Sequence, residues 1–179
     1  HEMLYHPGET NLRMADIVVI NKIDTADAKN IDQLRNTIRE VSPKALIIEA
    51  ASPLIVDSPQ EITGKRVLVI EDGPTLTHGE MPYGAGMIAA RKWGAAETID
   101  PRPWAVGSIK ETFEAYSHIG SLLPAMGYSP EQVKELEETV NSIDSDLVII
   151  ATPIDLRRVM KIEKPSLRVR YELQEVGTP

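Results

Sequence analysis

The stretch VVINKID, residues 18–24, decides how this chain is read. Val18, Val19 and Ile20 are β-branched and follow Ile17, so they read as a short strand of the kind buried on both faces of a parallel sheet. The run ends abruptly in Asn21, Lys22 and Asp24. Polar residues held at that spacing after a strand suit the reading of guanine. A carboxylate at Asp24 accepts two hydrogen bonds from the adjacent N1–H and N2–H of the base, a donor pair that adenine lacks. With adenine the carboxylate would be left without partners, a loss of several kcal/mol on the order of that for any buried unpaired charge. The Asn21 amide donates toward the base edge and braces neighbouring loops, while the aliphatic stem of Lys22 lies over the base plane. The alternative is that Asn21 and Asp24 only cap the helix that follows.

That helix is expected over residues 26–41, where Ile31, Leu34, Ile38 and Val41 recur at intervals of three and four. Pro43 stops it, and residues 45–49 read as the next strand. The pattern matches the base-recognition motif of P-loop GTPases, with the right strand before it and the right helix after it. A second element of such a site, a small-residue loop giving a backbone N–H to guanine O6, falls at EAAS, residues 49–52, with Ala51 as the donor. The usual Ser-Ala order is changed here.

The phosphate machinery of such a protein is missing from the sequence. No G-x-x-x-x-G-K-[ST] run occurs. The one Gly-Lys pair, Gly64-Lys65, has Pro59 where the leading glycine belongs and Arg66 where Ser or Thr should stand. The chain also starts His1-Glu2, with Met3 behind them. The expectation is a back half of a longer protein, preceded by a phosphate-binding region, or else a tag scar ahead of Met3. Taken alone, a chain without the phosphate loop would be inactive. GTP, or ATP, with Mg²⁺ is expected as cofactor only in the full-length protein.

A boundary is expected in the Pro-, Gly- and charge-rich residues 52–65, dividing the chain into 1–63 and 64–179. The second part alternates again. Strands are expected in RVLVIEDG from Arg66, at 97–100, in DLVIIATP (146–153), which runs from strand into a polar loop, and at 167–173, the last half-exposed. Helices are expected at 84–93, after a Ser108/Glu111 capping box with Ile109, Phe113 and Tyr116 inward, and after a Ser129/Gln132 box with Val133, Leu136 and Val140 inward. The fold class is therefore α/β, in three-layer parallel-sheet units. The first is the C-terminal part of a P-loop NTPase (GTPase-like) domain and the second a smaller Rossmann-like α/β unit. Ligands of such sheets bind at the carboxyl ends of the strands.

At one such end lies EDGPTLTHGEMPYGAG, residues 71–86, read as a long glycine-rich loop. Gly84 and Gly86 allow close backbone approach, and Asp72, Thr75, Thr77 and His78 offer polar contacts to a small anionic substrate or phosphate resting on the helix that starts near Gly84. Glu71, Asp72 and Glu80 add carboxylates that suit a cation, although no metal ligand set is assigned. The alternative is a structural loop with turn glycines. In DPRPW, residues 100–104, Arg102 either clamps the same anion or is a solvated residue in a Pro-bounded turn. Asp155 is expected as a helix cap. Arg157, Arg158, Lys161, Lys164, Arg168 and Arg170 are either an anion-attracting patch or a solvated face. His1, His6, His78 and His118 lack metal-ligand spacing, and His6 is placed to touch a preceding segment.

HPGETNLRMADIVVINKIDTAD (6–27), GKRVLVIEDGPTLTHGEMPYGAG (64–86) and ATPIDLRRVMKIEKPSLRVRYEL (151–173) together resemble predicted archaeal and bacterial GTPases related to cyclic 2,3-diphosphoglycerate synthetase. The resemblance implies a two-part protein with an N-terminal P-loop region, and nucleotide-driven phosphoryl chemistry that closes a phosphoglycerate ring anhydride. On that footing the whole protein is an NTP hydrolase or an NTP-dependent ligase. A regulatory or metallochaperone-like GTPase, whose second unit docks a partner protein, is the other reading.

Bulk properties narrow the classes further. A net charge of −8, from 19 Lys and Arg against 27 Asp and Glu, argues against nucleic acid as a partner. No apolar run approaches a membrane span, and the absence of cysteine fits a cytoplasmic protein. A homo-oligomer is left open.

Overall fold

The computed structural model describes residues 3, 7–79 and 81–177. The chain begins with α1 (Gly8–Met14), β1 (Ile17–Ile20), α2 (Ala28–Val41), β2 (Leu46–Ala51) and β3 (Leu54–Val56). It continues through β4 (Arg66–Asp72), α3 (Gly73–Thr77), α4 (Ala85–Lys92), β5 (Glu97–Thr98) and α5 (Gly107–Ala115). The last elements are β6 (Leu123–Ala125), α6 (Pro130–Ser142), β7 (Leu147–Ala151), β8 (Ser166–Tyr171) and β9 (Gln174–Glu175). Short 3-10 turns occupy Pro59–Ile62, Arg102–Trp104 and Leu156–Arg158. No helix among the described residues is long and apolar enough to cross a membrane.

The elements sort into two compact units, residues 1–53 with 171–179 and residues 54–170. The expected boundary at 63/64 is therefore corrected in two respects. Apolar Leu54–Val56 forms a strand of the second sheet, and the turn at Pro59–Ile62 buries Ile62 completely in the second core. The polar composition of 52–65 hid those anchors. The end of the chain, meanwhile, returns to the first unit through β9.

In the first unit β1 and β2 are parallel, with Ile17 opposite Leu46 and Val19 opposite Ile48, and β9 runs antiparallel to β2. Helix α2 forms where the apolar spacing requires. Asp27 caps it, accepting from Lys29 N–H at 2.8 Å, and Ile31 and Ile38 pack with Leu12 of α1 and Ile20 of β1. Leu34, Val41, Val18 and Ile47 complete that core. Helix α1 was not anticipated, since seven residues carry too little periodicity to read. Nor is β1 buried on both faces as expected: Ile17 is 57% exposed and Val19 45%. The helices of this chain cover only the face that Val18 and Ile20 present.

The second sheet has the order β3-β8-β7-β4-β5, with β6 pairing the far end of β4. Strands β5, β6 and β7 are parallel to β4, and β8 is parallel to β7. Val67–Ile70 and Val148–Ile150 are fully buried, the continuous apolar runs of strands covered on both faces. Ile109 and Phe113 of α5 and Leu136 and Val140 of α6 belong to the same core. The Ser129/Gln132 capping box forms as expected. The Ser108/Glu111 box does not, because α5 starts at Gly107, whose φ is 51°, and leaves Ser108 inside the helix. Its hydroxyl donates to Glu135 of α6 instead. From β4 the chain moves to β5 and β6 on one side, then crosses to β7 and β8 on the other. The carboxyl ends of β4 and β7 thus form the switch point where such sheets open a crevice.

Candidate functional site

Two parallel neighbours deliver the NKID residues and the EAAS loop to one place. The strand β1 ends at Ile20, the chain turns through Asn21–Thr25, and Ile23 N–H donates to Ala50 of β2 at 3.2 Å. Lys22 takes the left-handed conformation, with φ 62°, which costs a side-chain-bearing residue about 1–2 kcal/mol. The turn is tightened by Thr25 and Ala26 N–H groups, both donating to Lys22 O. Asn21 Oδ1 accepts from Lys22 N–H at 2.8 Å and from the Ser52 hydroxyl at 2.9 Å. Asp24 Oδ1 accepts Ser52 N–H at 3.1 Å. Ser52 therefore ties both candidate side chains, 31 and 28 residues away in sequence, to the end of β2.

The simple capping alternative fails here. The cap of α2 is Asp27, whose carboxylate takes Lys29 N–H, and neither Asn21 nor Asp24 bonds to the helix. Asp24 is exposed, with Oδ2 accepting no hydrogen bond and Oδ1 accepting one among the described residues. A carboxylate has about four lone-pair sites, so both oxygens remain able to take a donor pair from outside.

Ala51 does not sit as expected. It pairs with Gln174 of β9, in the register that also sets Glu49 opposite Val176. Val176 N–H donates to Glu49 O at 2.8 Å. Antiparallel bonding alternates along the strand, so Ala51, two residues on, turns its N–H to β9 and not to the NKID loop. The residue that reaches the loop is Ser52. The signal was present in EAAS, one position further along. Glu49, on the same strand, is held below the usual carboxylate range by its hydrogen bond to Arg35 of α2.

At the switch point of the second sheet the residues 71–86 are not a single long loop. Gly73–Thr77 closes into α3, capped by Asp72, which accepts Thr75 N–H at 3.4 Å and the Thr75 hydroxyl at 2.7 Å. Thr77 is buried and its hydroxyl donates back to Gly73 O at 3.1 Å. Thr75 and Thr77 are thus spent within their own helix, while His78 is exposed at its end. Glu80 lies outside the described residues, as do His1 and His6.

The start of α4, expected to receive an external anion, is filled by the protein itself. Glu71, at the end of β4, accepts Gly84 N–H at 3.1 Å and Met87 N–H at 3.0 Å. It is only 3% exposed, and burial pushes its carboxyl up to about 7, against the pull of those N–H groups. This explains the two glycines. A Cβ at Gly84 would stand 2.5 Å from Glu71 Oε2, and one at Gly86 would stand 2.7 Å from Val69 Cγ1 and 2.9 Å from Ala151 Cβ. They bring α4 onto β4 and β7 rather than onto a ligand. Tyr128, beyond β6, has its hydroxyl pKa raised by burial and by the charge of Asp72.

Arg102 does not join that group. Its guanidinium holds Asp100 at 2.9 Å, donates to Ile119 O and lies 4.7 Å over the Phe113 ring, which anchors the turn after β5. Five of the six residues of the basic run are similarly engaged, and Arg158 is exposed. Arg157 pairs with Asp155, which also caps the Leu156–Arg158 turn as expected. Lys161 pairs with Glu163, and Arg170 with Asp57. Lys164 Nζ donates to Val140 and Asn141 carbonyls at the end of α6, and Arg168 to Thr152 and Pro153.

Comparison with known proteins bears on the first unit most directly. Residues 3–49 match the family model described as CobW/HypB/UreG, nucleotide-binding domain. That match supports nucleotide binding by a P-loop-type α/β unit. The entire chain is 62% identical, over 179 residues, to arginine synthetase ArcE of Thermococcus kodakarensis, and spans 40% of the length of that relative.

Proposed function

We propose that this chain is the guanine-reading portion of a longer, nucleotide-dependent synthetase, with arginine among its substrates or products. The observation that carries the proposal is the joint anchoring of Asn21 and Asp24 on Ser52 while Asp27 takes over the capping role. Side chains held away from the helix they precede, on a turn strained at Lys22, have a task other than folding. The phosphate-binding groups and Mg²⁺ would be supplied by a part of the polypeptide outside these residues. Identity of 62% along all 179 residues favours amino-acid chemistry like that named for the relative over the phosphoglycerate ring closure implied by the resemblance. In this reading the first unit holds the base and the second contributes to the substrate side.

The test uses the longer polypeptide. Titration with GTP, ATP and their diphosphates should show a guanine preference, and Asp24→Asn should erase it. Losing charge-assisted hydrogen bonds of about 1.5–3 kcal/mol lowers guanine affinity by roughly 10- to 100-fold and leaves adenine affinity unchanged. An intact protein that prefers adenine nucleotides refutes the assignment. Nucleotide hydrolysis that proceeds at full rate with no small substrate, and is raised by a partner protein, would instead favour the regulatory GTPase reading.

A further inference from the structure

Away from the base-reading turn, a cavity of about 290 Å³ opens in the first unit between α2, β2 and the end of β9. Ile48 and Val176 give it an apolar lining, and four charged side chains face it. Arg35 and Arg39 come from α2, Glu49 from β2 and Glu175 from β9. Arg35 is answered within the protein, pairing with Glu49 beside it and with Asp32 one turn back on α2. Arg39 and Glu175 are not. Neither side chain has an ion-pair or hydrogen-bond partner among the described residues. Opposite charges attract most when they meet. Two that line one cavity without meeting leave a space with a positive and a negative end.

That polarity selects the ligand. The lining is neutral as a whole, with two guanidiniums against two carboxylates. A phosphate or a simple carboxylate would gain Arg39 but face Glu175, and a simple amine would meet the reverse. A molecule with one charge of each sign gains at both ends. The volume is that of roughly ten waters, which suits a free amino acid. We infer that this cavity binds an aliphatic α-amino acid, its carboxylate on the Arg39 guanidinium and its ammonium on the Glu175 carboxylate. A guanidinium fork meets a carboxylate with two parallel hydrogen bonds, and the side chain of the ligand lies on Ile48 and Val176. The site is separate from the base-reading loop, because Arg39 lies eleven residues, about 16 Å of helix, beyond Ala28 at the start of α2. The inference goes beyond the proposed function and does not depend on it.

Three probes that share an aliphatic chain and differ in charge decide the matter. L-norvaline carries both groups, pentanoate lacks the ammonium and butylamine lacks the carboxylate. Each is titrated calorimetrically into the longer polypeptide, free of nucleotide, and hydrogen exchange locates the bound probe. Norvaline should slow exchange of amides within 35–39, 47–49 and 175–177. Pentanoate and butylamine should bind at least about 10-fold more weakly, each having lost one charge-assisted hydrogen bond. Arg39→Gln and Glu175→Gln should each weaken norvaline binding by a similar factor. Both side chains are exposed and unpartnered among the described residues, so the melting temperature of either variant should stay unchanged. Norvaline that leaves those amides unaffected overturns the inference, as does either variant binding it like the natural protein. Pentanoate, butylamine or inorganic phosphate binding there as tightly as norvaline overturns it too, since a zwitterion is then not what the cavity selects. A preference for guanine or adenine nucleotides alters none of these outcomes, so this inference and the proposed function fail separately.

Discussion

Glu71 gives the sharpest test of how the second unit is held together. It is 3% exposed, has no ion-pair partner among the described residues, and is pushed up to about 7 from 4.5 by burial, with a smaller contribution from the Asp72 charge. Each tenfold difference in proton affinity between folded and unfolded states is worth about 1.4 kcal/mol, so ionising Glu71 weakens the folded state by about 3 kcal/mol. The sign follows from the raised value. Below pH 4.5 the carboxyl is protonated in both states and its full contribution is present. Between 4.5 and about 7 the unfolded chain releases the proton while the folded one keeps it, and stability falls. Above 7 the loss is complete and levels off. Glu71→Gln keeps the shape and an oxygen acceptor for the Gly84 and Met87 N–H groups but cannot titrate. Urea denaturation of the natural and substituted proteins from pH 5 to pH 8 should therefore show their stability difference changing by about 2–3 kcal/mol, in favour of the glutamine form as pH rises. An identical pH dependence in both proteins would refute the assignment of this slope to Glu71.

Two further substitutions probe packing and strain. Gly86→Ala puts a methyl group within 2.7 Å of Val69 and 2.9 Å of Ala151, inside the contact of α4 with the sheet. It should lower stability by about 1–3 kcal/mol, read as a fall in the urea midpoint. Lys22→Gly relieves a left-handed residue and should raise stability by about 1 kcal/mol in thermal unfolding; on the proposed function it also weakens guanine nucleotide binding, read by titration of the longer polypeptide.

Much of this architecture was legible because local signals were strong. The spacing of Ile31, Leu34, Ile38 and Val41 and the stop at Pro43 define α2 within a single turn of the chain, although its cap, Asp27, was read as part of the helix. Ser129, Pro130 and Gln132 do the same for α6. What escaped depends on distant partners. The two-residue β9 exists only because β2 lies beside it, and β6 is a three-residue strand completed by the end of β4. The burial of β1 was overestimated because strand composition reports what a sheet can bury, not which helices the chain supplies. Spacing singled out Asn21 and Asp24 as candidates, but that Ser52 and not Ala51 reaches them depended on one position of register. At 71–86 the glycines were noticed and misassigned, since the sequence cannot show that Glu71 folds back as the buried carboxyl that Gly84 and Gly86 make room for.

The path of the chain gives Ser52 a mechanical position as well as a chemical one. The second unit is inserted between β2 and the closing strand β9, so the polypeptide crosses from one unit to the other twice. The outward crossing begins at Pro53, directly after the serine that clasps Asn21 and Asp24. Proline admits little rotation about its N–Cα bond, so the strand of chain that leaves Ser52 has one backbone dihedral fewer to vary just where the clasp on Asn21 and Asp24 ends.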